Sequence, residues 1–197
     1  NTESYLCKSF NAEKKSEKVL VGVAFNFLLV MLFVLPIDLL FQHLTRGENS
    51  LLLYQQFLTW VIYVIESAFG IEVYIRGENS TILSYADIID MEIVAECTGL
   101  HETVFLSLLI ICFRGVKPMV RAKWAIYAVI FIFVENLIRI ISGYYLINMY
   151  DFSTWDKFHY FWWHTGQYAL IMGVFVFWVM TIAGKPENKS VKKNFIR

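Results

Sequence analysis

The sequence predicts an all-α integral membrane protein, a bundle of four to five transmembrane helices with a small extracellular β-hairpin. Three observations support this fold class. The 197 residues are 57% hydrophobic, and the mean hydropathy is +0.52. Charged residues are clustered, so several stretches of roughly 20 residues, the length that a membrane span needs, are almost free of charge. Between two such stretches the hydrophobic period changes from that of a helix to that of a strand.

The distribution of charge divides the chain into three parts. Residues 1–18 form a polar, lysine-bearing tail, residues 19–184 form a multispan membrane domain, and residues 185–197 form a basic tail. The 17 basic and 17 acidic residues balance, so the net charge gives no reason to expect a nucleic-acid partner. The length suits one compact bundle without a separate soluble domain.

The first two apolar stretches differ in character. Residues 19–41 predict a first span, since the run is too long for the core of a signal peptide. Residues 51–69 are long enough to span, but polar side chains recur there at helical spacing. That stripe favours a helix in the membrane interface, or one packed against a polar interior. The stripe comprises Gln55, Gln56, Thr59, Tyr63, Glu66 and Ser67.

A strand-like region precedes the third apolar stretch. Residues 71–76 and 81–85 alternate between apolar and polar side chains and flank a turn-like segment at 77–80. This pattern predicts a β-hairpin. Residues 91–94 continue in the same style and lead directly to Cys97.

Three further spans are predicted at 98–113, 124–149 and 161–183. The loop 114–123 and the C-terminal tail are basic, and the positive-inside rule places both in the cytoplasm. Cys97 then begins its helix at the outer face. Five spans would leave the N-terminal tail outside despite its lysines, whereas four spans place it inside, which is the arrangement that we favour.

Cys97 is the candidate nucleophile. A thiol in the first turn of a helix, at the boundary with water, is placed where free N–H groups and the helix dipole favour the thiolate. Cys112 would share that helix, about 22 Å away by helical rise, so the two cannot form a disulfide. We interpret Cys112 as a small apolar residue.

Arg139 lies inside the predicted span 124–149. A cation at such a depth costs several kcal/mol unless it faces a polar site inside the protein. An ion pair with Glu135, one turn earlier, supported by Asn136, would be a purely structural explanation. Since such a pair would still have to face away from lipid, we favour a functional role for Arg139.

Two histidines are candidate proton carriers. His164 begins the last span beside two tryptophans, and His101 lies four residues after Cys97 on the same helix face. His43 and His159 fall in predicted boundary or loop segments and carry no signal. Together Cys97, Arg139 and His164 could supply a thiolate, an oxyanion-holding cation and an acid–base group. A metal site built from Cys97, His101, His164 and Glu96 is the competing hypothesis, which the nearby arginine disfavours.

With these residues identified, the chain resembles the exosortase/archaeosortase family of membrane transpeptidases, in a short archaeosortase-like form. The matching motifs are Glu96 to Leu100, Asn136 to Arg139, and His164 to Gly166, in the order and spacing of the family. The resemblance covers about residues 50–183. Some archaeal relatives have arginine at the third position, and His164 departs from that branch.

The resemblance implies a sortase-like reaction on an unrelated fold. Cys97 would cleave the C-terminal sorting signal of a secreted, membrane-anchored precursor, a signal made of a short motif, a transmembrane helix and a basic tail. The resulting thioester would pass to an amine, expected to be a membrane lipid head group. Arg139 and His164 would complete the catalytic set without a cofactor or a metal. We also expect substrate contacts from the flanking residues Glu96, Thr98, Asn136 and His101.

Two other classes remain open on the sequence. A membrane cysteine protease would hydrolyse the same bond without transferring the product, which the mass of the product would reveal. A non-enzymatic scaffold or transporter would tolerate the loss of Cys97 and would use Arg139 only for packing.

Overall fold

The computed structural model describes residues 28, 31–45, 50–86, 89–183 and 185. In chain order the elements are α1 (Met31–Thr45), α2 (Leu52–Ala68), β1 (Val73–Arg76), β2 (Ile82–Tyr85), β3 (Ile89–Glu92), a 3-10 turn (Ala95–Thr98), α3 (Leu100–Cys112), α4 (Pro118–Met149), α5 (Phe152–Phe161), a π-helical segment (Trp162–Gly166), α6 (Gln167–Trp178) and a second π-helical segment (Val179–Ala183). The predictions for residues 1–18 and 186–197, and for all of 19–30 except Leu28, lie outside the described residues.

One described helix, α4, is long and apolar enough to cross a membrane, and three shorter apolar helices accompany it. The shorter ones are Met31–Thr45, Leu100–Cys112 and Gln167–Ile182. The outward face of α4 is an apolar stripe at a spacing of four residues, as expected of a surface in contact with lipid. The stripe consists of Ile126, Ile130, Val134 and Ile138. The mostly helical architecture with an apolar helix long enough to span is therefore confirmed, and the number of four to five spans stays a prediction.

The strand-like region forms a three-stranded antiparallel sheet in the order β1-β2-β3. The predicted hairpin is confirmed: Val73 lies opposite Tyr85, and the turn between β1 and β2 falls at 77–80. The lead into the cysteine adds a third strand, with Ile82 of β2 opposite Glu92 of β3.

Helix α2 packs its polar stripe against the protein. Gln55 donates to the carbonyl of Ile93 over 2.9 Å, and Glu66 accepts a 2.7 Å hydrogen bond from the Tyr85 hydroxyl. The opposite face is apolar and exposed, at Leu53, Phe57, Trp60 and Val64. Such a helix can lie in the membrane interface with its apolar face toward lipid, which combines the two arrangements expected for residues 51–69.

The interior consists of two apolar clusters. One lies among α1, α3, α4 and α6, around Leu106, Ile132 and Phe175. The other lies among α2, the sheet and the second half of α4, around Leu58, Leu83 and Ile140. Because α4 contributes to both, its middle residues lie where the bundle meets the sheet.

The pair formed by Glu66 and Tyr85 predicts a pH-dependent stability. Burial raises the pKa of the Glu66 carboxyl from 4.5 to about 7, although the hydrogen bond from Tyr85 opposes the shift. A raised carboxyl pKa means that folding favours the neutral acid, so the stabilisation is complete below pH 4.5 and is lost as pH rises through about 7.

We therefore expect the melting temperature of the detergent-solubilised protein to fall between pH 5 and pH 8, corresponding to at most about 3 kcal/mol. Glu66→Gln, which keeps the shape and the acceptor oxygen, should remove most of this pH dependence. Equal pH profiles for the wild type and the variant would contradict the assignment.

Candidate active site

Cys97 lies in the 3-10 turn Ala95–Thr98, ahead of α3. Its backbone N–H donates to the carbonyl of Val94 over 2.9 Å, and the Thr98 hydroxyl donates to the carbonyl of Ala95 over 2.6 Å. Gly99 follows with φ of +67°, a conformation that other residues rarely adopt. The expectation that Cys97 occupies the first helical turn was wrong, because this left-handed residue separates the cysteine from the helix.

Asn136 of α4 joins the cysteine to the arginine. Its side-chain amide donates to the carbonyl of Cys97 over 2.9 Å, and its side-chain oxygen accepts from Nη2 of Arg139 over 2.7 Å. The same Nη2 lies 3.3 Å from the Cys97 carbonyl. Gly99 makes this approach possible, because a Cβ at that position would lie 3.0 Å from Cγ of Asn136.

Arg139 is 8% exposed, and its Nε and Nη1 have no hydrogen-bond partner among the described residues. Buried guanidinium donors are costly to leave unsatisfied, so these two groups are available to an oxygen of a bound ligand. The postulated ion pair with Glu135 was wrong. Glu135 accepts instead from Trp162 over 2.9 Å and from Gln167 over 3.1 Å, which joins α4 to the last helical stretch.

The environment of the Cys97 thiol has opposing effects on its pKa. Burial raises the pKa above its usual value, and the positive charge of Arg139 lowers it in part. Burial is the larger cause. The cation of Arg139 therefore favours the thiolate, but burial outweighs it and keeps the pKa of Cys97 above its usual value.

Among the histidine side chains that the structure describes, His159 is the one that reaches this site. It lies on α5, in the wall of the same cavity as Cys97 and Arg139, and its ring stacks on Trp155, with centroids 5.0 Å apart. The ring of Trp163 lies on the next turn, 6.4 Å away. In the sequence His159 falls in a predicted boundary or loop segment, and the prediction that it carries no signal was wrong. Its signal was the spacing of four between Trp155, His159 and Trp163, which indicates a ring-lined helix face.

His164 lies in the π-helical segment Trp162–Gly166. Its side chain lies outside the described part of the structure, so its proposed role stays a prediction. The segment itself is held by the hydrogen bond from Trp162 to Glu135. π-Helical turns occur frequently at functional sites.

Three cavities surround the turn with Cys97. The strand groove, of about 180 Å³, lies between β3 and α5. The cysteine cavity, of about 270 Å³, is lined by Val94, Glu96, Cys97, Arg139, His159 and Trp163. The polar cavity, of about 390 Å³, is lined by Gln42, Thr45, Ala95, Glu96, His101, Glu102, Trp163 and Tyr168. Cys97 and Arg139 line the first two cavities, and Glu96 lines the second and third.

The remaining candidate residues fall into two groups. Thr98 and Asn136 are buried and bind backbone carbonyls of the cysteine turn. Glu96 and His101 line the polar cavity, where Nε2 of His101 lies 3.4 Å from the Thr45 hydroxyl. Among the described residues no three His, Cys, Asp or Glu side chains are grouped to hold a metal ion. That search leaves out the side chain of His164, one of the four ligands in the metal hypothesis.

Comparison with known proteins identifies the family of this chain. A family model described as transmembrane exosortase matches residues 18–183. The chain belongs to the exosortase family. The resemblance seen in the sequence motifs is thereby confirmed, and the membrane location follows from the family together with the apolar helix α4. No match was found among curated proteins or among solved structures.

Exosortases are membrane cysteine transpeptidases that act on substrates with C-terminal sorting signals. In this exosortase the buried thiol beside a buried arginine predicts a measurable coupling. Replacing Arg139 with Gln should raise the pKa of Cys97, since the cation that favours the thiolate is lost.

We expect iodoacetamide to alkylate Cys97 about tenfold more slowly in Arg139→Gln at neutral pH, with the pH profile displaced upward. Arg139→Lys keeps the charge and should stay close to the wild-type rate. Both variants are compared in a background of Cys7→Ser and Cys112→Ala, so that one thiol reacts. Unchanged alkylation in Arg139→Gln would rule out the electrostatic coupling.

Proposed function

We propose that this exosortase is a membrane-embedded cysteine transpeptidase. It cleaves the C-terminal sorting signal of a secreted precursor through a thioester on Cys97 and transfers the new C-terminus to an amine, a membrane lipid head group. The observation that carries this proposal is the cysteine cavity, where Cys97 and the buried Arg139 line the same space and two guanidinium donors have no partner in the described part of the chain.

Each step of the reaction has a group suited to it. A histidine takes the proton of the Cys97 thiol as the sulfur attacks the carbonyl carbon of the scissile peptide bond, and Nε and Nη1 of Arg139 hold the resulting oxyanion. A histidine protonates the leaving amine as the C–N bond breaks and the thioester forms. The acceptor amine then attacks the thioester carbonyl, the histidine takes its proton, and the Cys97 thiol is regenerated.

Two histidines are proposed for the proton transfers, on different grounds. The family motif supports His164, whereas the cavity geometry supports His159, which lines the cavity together with Cys97 and Arg139. An imidazole can both donate a proton to a leaving amine and accept one from an acceptor. The turnover of the variants His159→Gln and His164→Gln distinguishes the two histidines.

The polar cavity supports the approach of a second substrate. It shares Glu96 and Trp163 with the cysteine cavity, so an acceptor there would be adjacent to the thioester. Its carboxylates, Glu96 and Glu102, and the ring of Tyr168 suit an amine that arrives as an ammonium ion. We propose that Glu96 and His101 contact the acceptor, while Thr98 and Asn136 position the cysteine turn.

We further propose a multi-pass protein of the cell membrane with its active site near the extracellular face. The basic residues before Trp124 favour a cytoplasmic start of the span in α4. A hydrocarbon core of about 30 Å then ends about 20 residues later, near Tyr144. Arg139 would lie about 8 Å inside that boundary, a depth that an outer-face active site can reach.

Hydrolysis without transfer remains a second candidate for the same cysteine cavity. Water would then replace the amine at the thioester, and the polar cavity would have no acceptor. The mass of the cleaved product distinguishes the two reactions. The scaffold or transporter hypothesis differs from both, because it assigns no chemistry to Cys97.

The central test replaces the nucleophile. Cys97→Ser and Cys97→Ala should reduce processing of a sorting-signal precursor at least about 1,000-fold, because a serine hydroxyl is a far weaker nucleophile at neutral pH. Cys112→Ala, in the bundle core, is the matched control and should process normally. Precursor mass and membrane abundance are measured together. Near-normal processing by Cys97→Ser would disprove the assignment of Cys97 as the nucleophile.

A second comparison ranks Arg139 and the histidines. Arg139→Lys keeps the charge but loses the planar set of donors, so turnover should fall about 100-fold or more. His159→Gln and His164→Gln are compared with each other. The variant that lacks the proton-carrying histidine should lose turnover about 100-fold or more, and this loss identifies the histidine. His101→Gln should be tolerated better, apart from a weaker apparent affinity for the acceptor.

A chelator is added in parallel. The transpeptidase mechanism expects no effect, whereas the metal hypothesis expects inactivation that added metal reverses, with His101 and His164 equally important. Full turnover by Arg139→Lys and by both His159→Gln and His164→Gln would eliminate the proposed catalytic set.

A further inference from the structure

The third strand, β3, is an edge of the sheet, since the strand order is β1-β2-β3. The N–H of Ile93 donates to the carbonyl of Thr81 over 2.9 Å. In an antiparallel ladder the bonded pairs alternate, so Met91 and Ile89 also bond toward β2. The backbone N–H and C=O groups of Asp90 and Glu92 therefore point outward, away from the sheet.

The strand groove follows this edge. It is lined by every residue from Ile89 to Ile93, and its far wall consists of Ile140, Ile147, Phe152, Trp155 and His159. Cys97 and Arg139 line the same groove. An edge strand beside an apolar groove is the arrangement that binds extended peptides by strand addition.

Arg139 supplies an independent indication of a ligand. Its side chain is 8% exposed, lines the strand groove, and keeps Nε and Nη1 without partners among the described residues. A peptide carbonyl at the end of the groove would satisfy these donors and would place its carbon beside the thiol of Cys97.

We propose that the segment preceding the scissile bond of the precursor binds as a fourth strand along β3. Its backbone bonds to the outward groups of Asp90 and Glu92, and its alternate side chains face the apolar wall at Ile140 and Ile147. Because both β3 and the bound segment run N- to C-terminal toward Cys97, the added strand is parallel to β3. The recognised motif is then an extended peptide with small or apolar side chains at alternate positions, and this inference rests on the proposed function.

The test uses a probe that needs neither a precursor nor an acceptor. N-acetyl-tetraalanyl chloromethyl ketone offers an extended backbone, and the sulfur of Cys97 displaces its chloride to form a stable thioether. Iodoacetamide, which has no peptide backbone, measures the intrinsic reactivity of the same thiol. Mass spectrometry follows both labelling rates in the full-length protein carrying Cys7→Ser and Cys112→Ala.

The protein variants are Asp90→Pro and its matched control Asp90→Ala. Proline removes an outward N–H that β2 does not use, and edge strands tolerate it. We expect the ratio of the tetraalanyl rate to the iodoacetamide rate to fall about tenfold in Asp90→Pro, because one or two hydrogen bonds to the probe are lost. In Asp90→Ala this ratio should stay at the wild-type value. Equal ratios in all three proteins would overturn the inference.

A second measurement changes the probe and leaves the protein intact. N-methylation at alternate alanines should slow labelling of the wild type, while methylation of the intervening ones should not, because only every second amide of an added strand faces β3. If methylation slowed labelling equally at every alanine of the probe, strand addition would be excluded. A wild type that shows the alternation but processes no precursor would disprove the proposed function and leave this binding mode standing.

Discussion

The active site depends on the two hydrogen bonds of the Asn136 side-chain amide. One bond holds the carbonyl of Cys97 and the other holds Nη2 of Arg139. A single side chain on α4 thus fixes Cys97, the proposed nucleophile, and the cation of Arg139 relative to each other. The bond to Arg139 is buried and the bond to Cys97 is partly buried, so their loss would leave polar groups unsatisfied where water has little access. This explains why the approach of Gly99 to Asn136 must be so close, and why a residue with a Cβ does not fit there.

The position of this amide follows from the packing of two apolar clusters. The bundle cluster holds one half of α4 and the sheet cluster holds the other. The cysteine turn connects the last strand to α3, so it crosses the boundary between the clusters at the level of Asn136. The short turn that carries Cys97 is held in place because packed elements lie on both sides of it.

Two opposing effects act on the pKa of Cys97: burial and the positive charge of Arg139. Burial excludes water and disfavours the Cys97 thiolate, and the neighbouring guanidinium favours it. The same exclusion of water would strengthen the proposed interaction between the arginine donors and an oxyanion. Because Glu135 bonds to Trp162 and Gln167 and not to Arg139, the cation keeps donors for a substrate. The carboxylate holds the last helical stretch in place and does not neutralise the charge.

The sequence by itself determined the helical membrane class, the hairpin, the family, and the candidacy of Cys97 and Arg139. Apolar periodicity and a charge inside an apolar run are local properties, which a linear pattern records directly. Only the tertiary structure decided what surrounds these residues. The third strand, the 3-10 turn before α3, the partner of Glu135 and the arrival of His159 depend on contacts between residues far apart in the chain. His159 shows the reason most clearly: its own segment looks like a polar boundary, and only the fold of α5 over the cysteine turn brings its ring to Cys97 and Arg139.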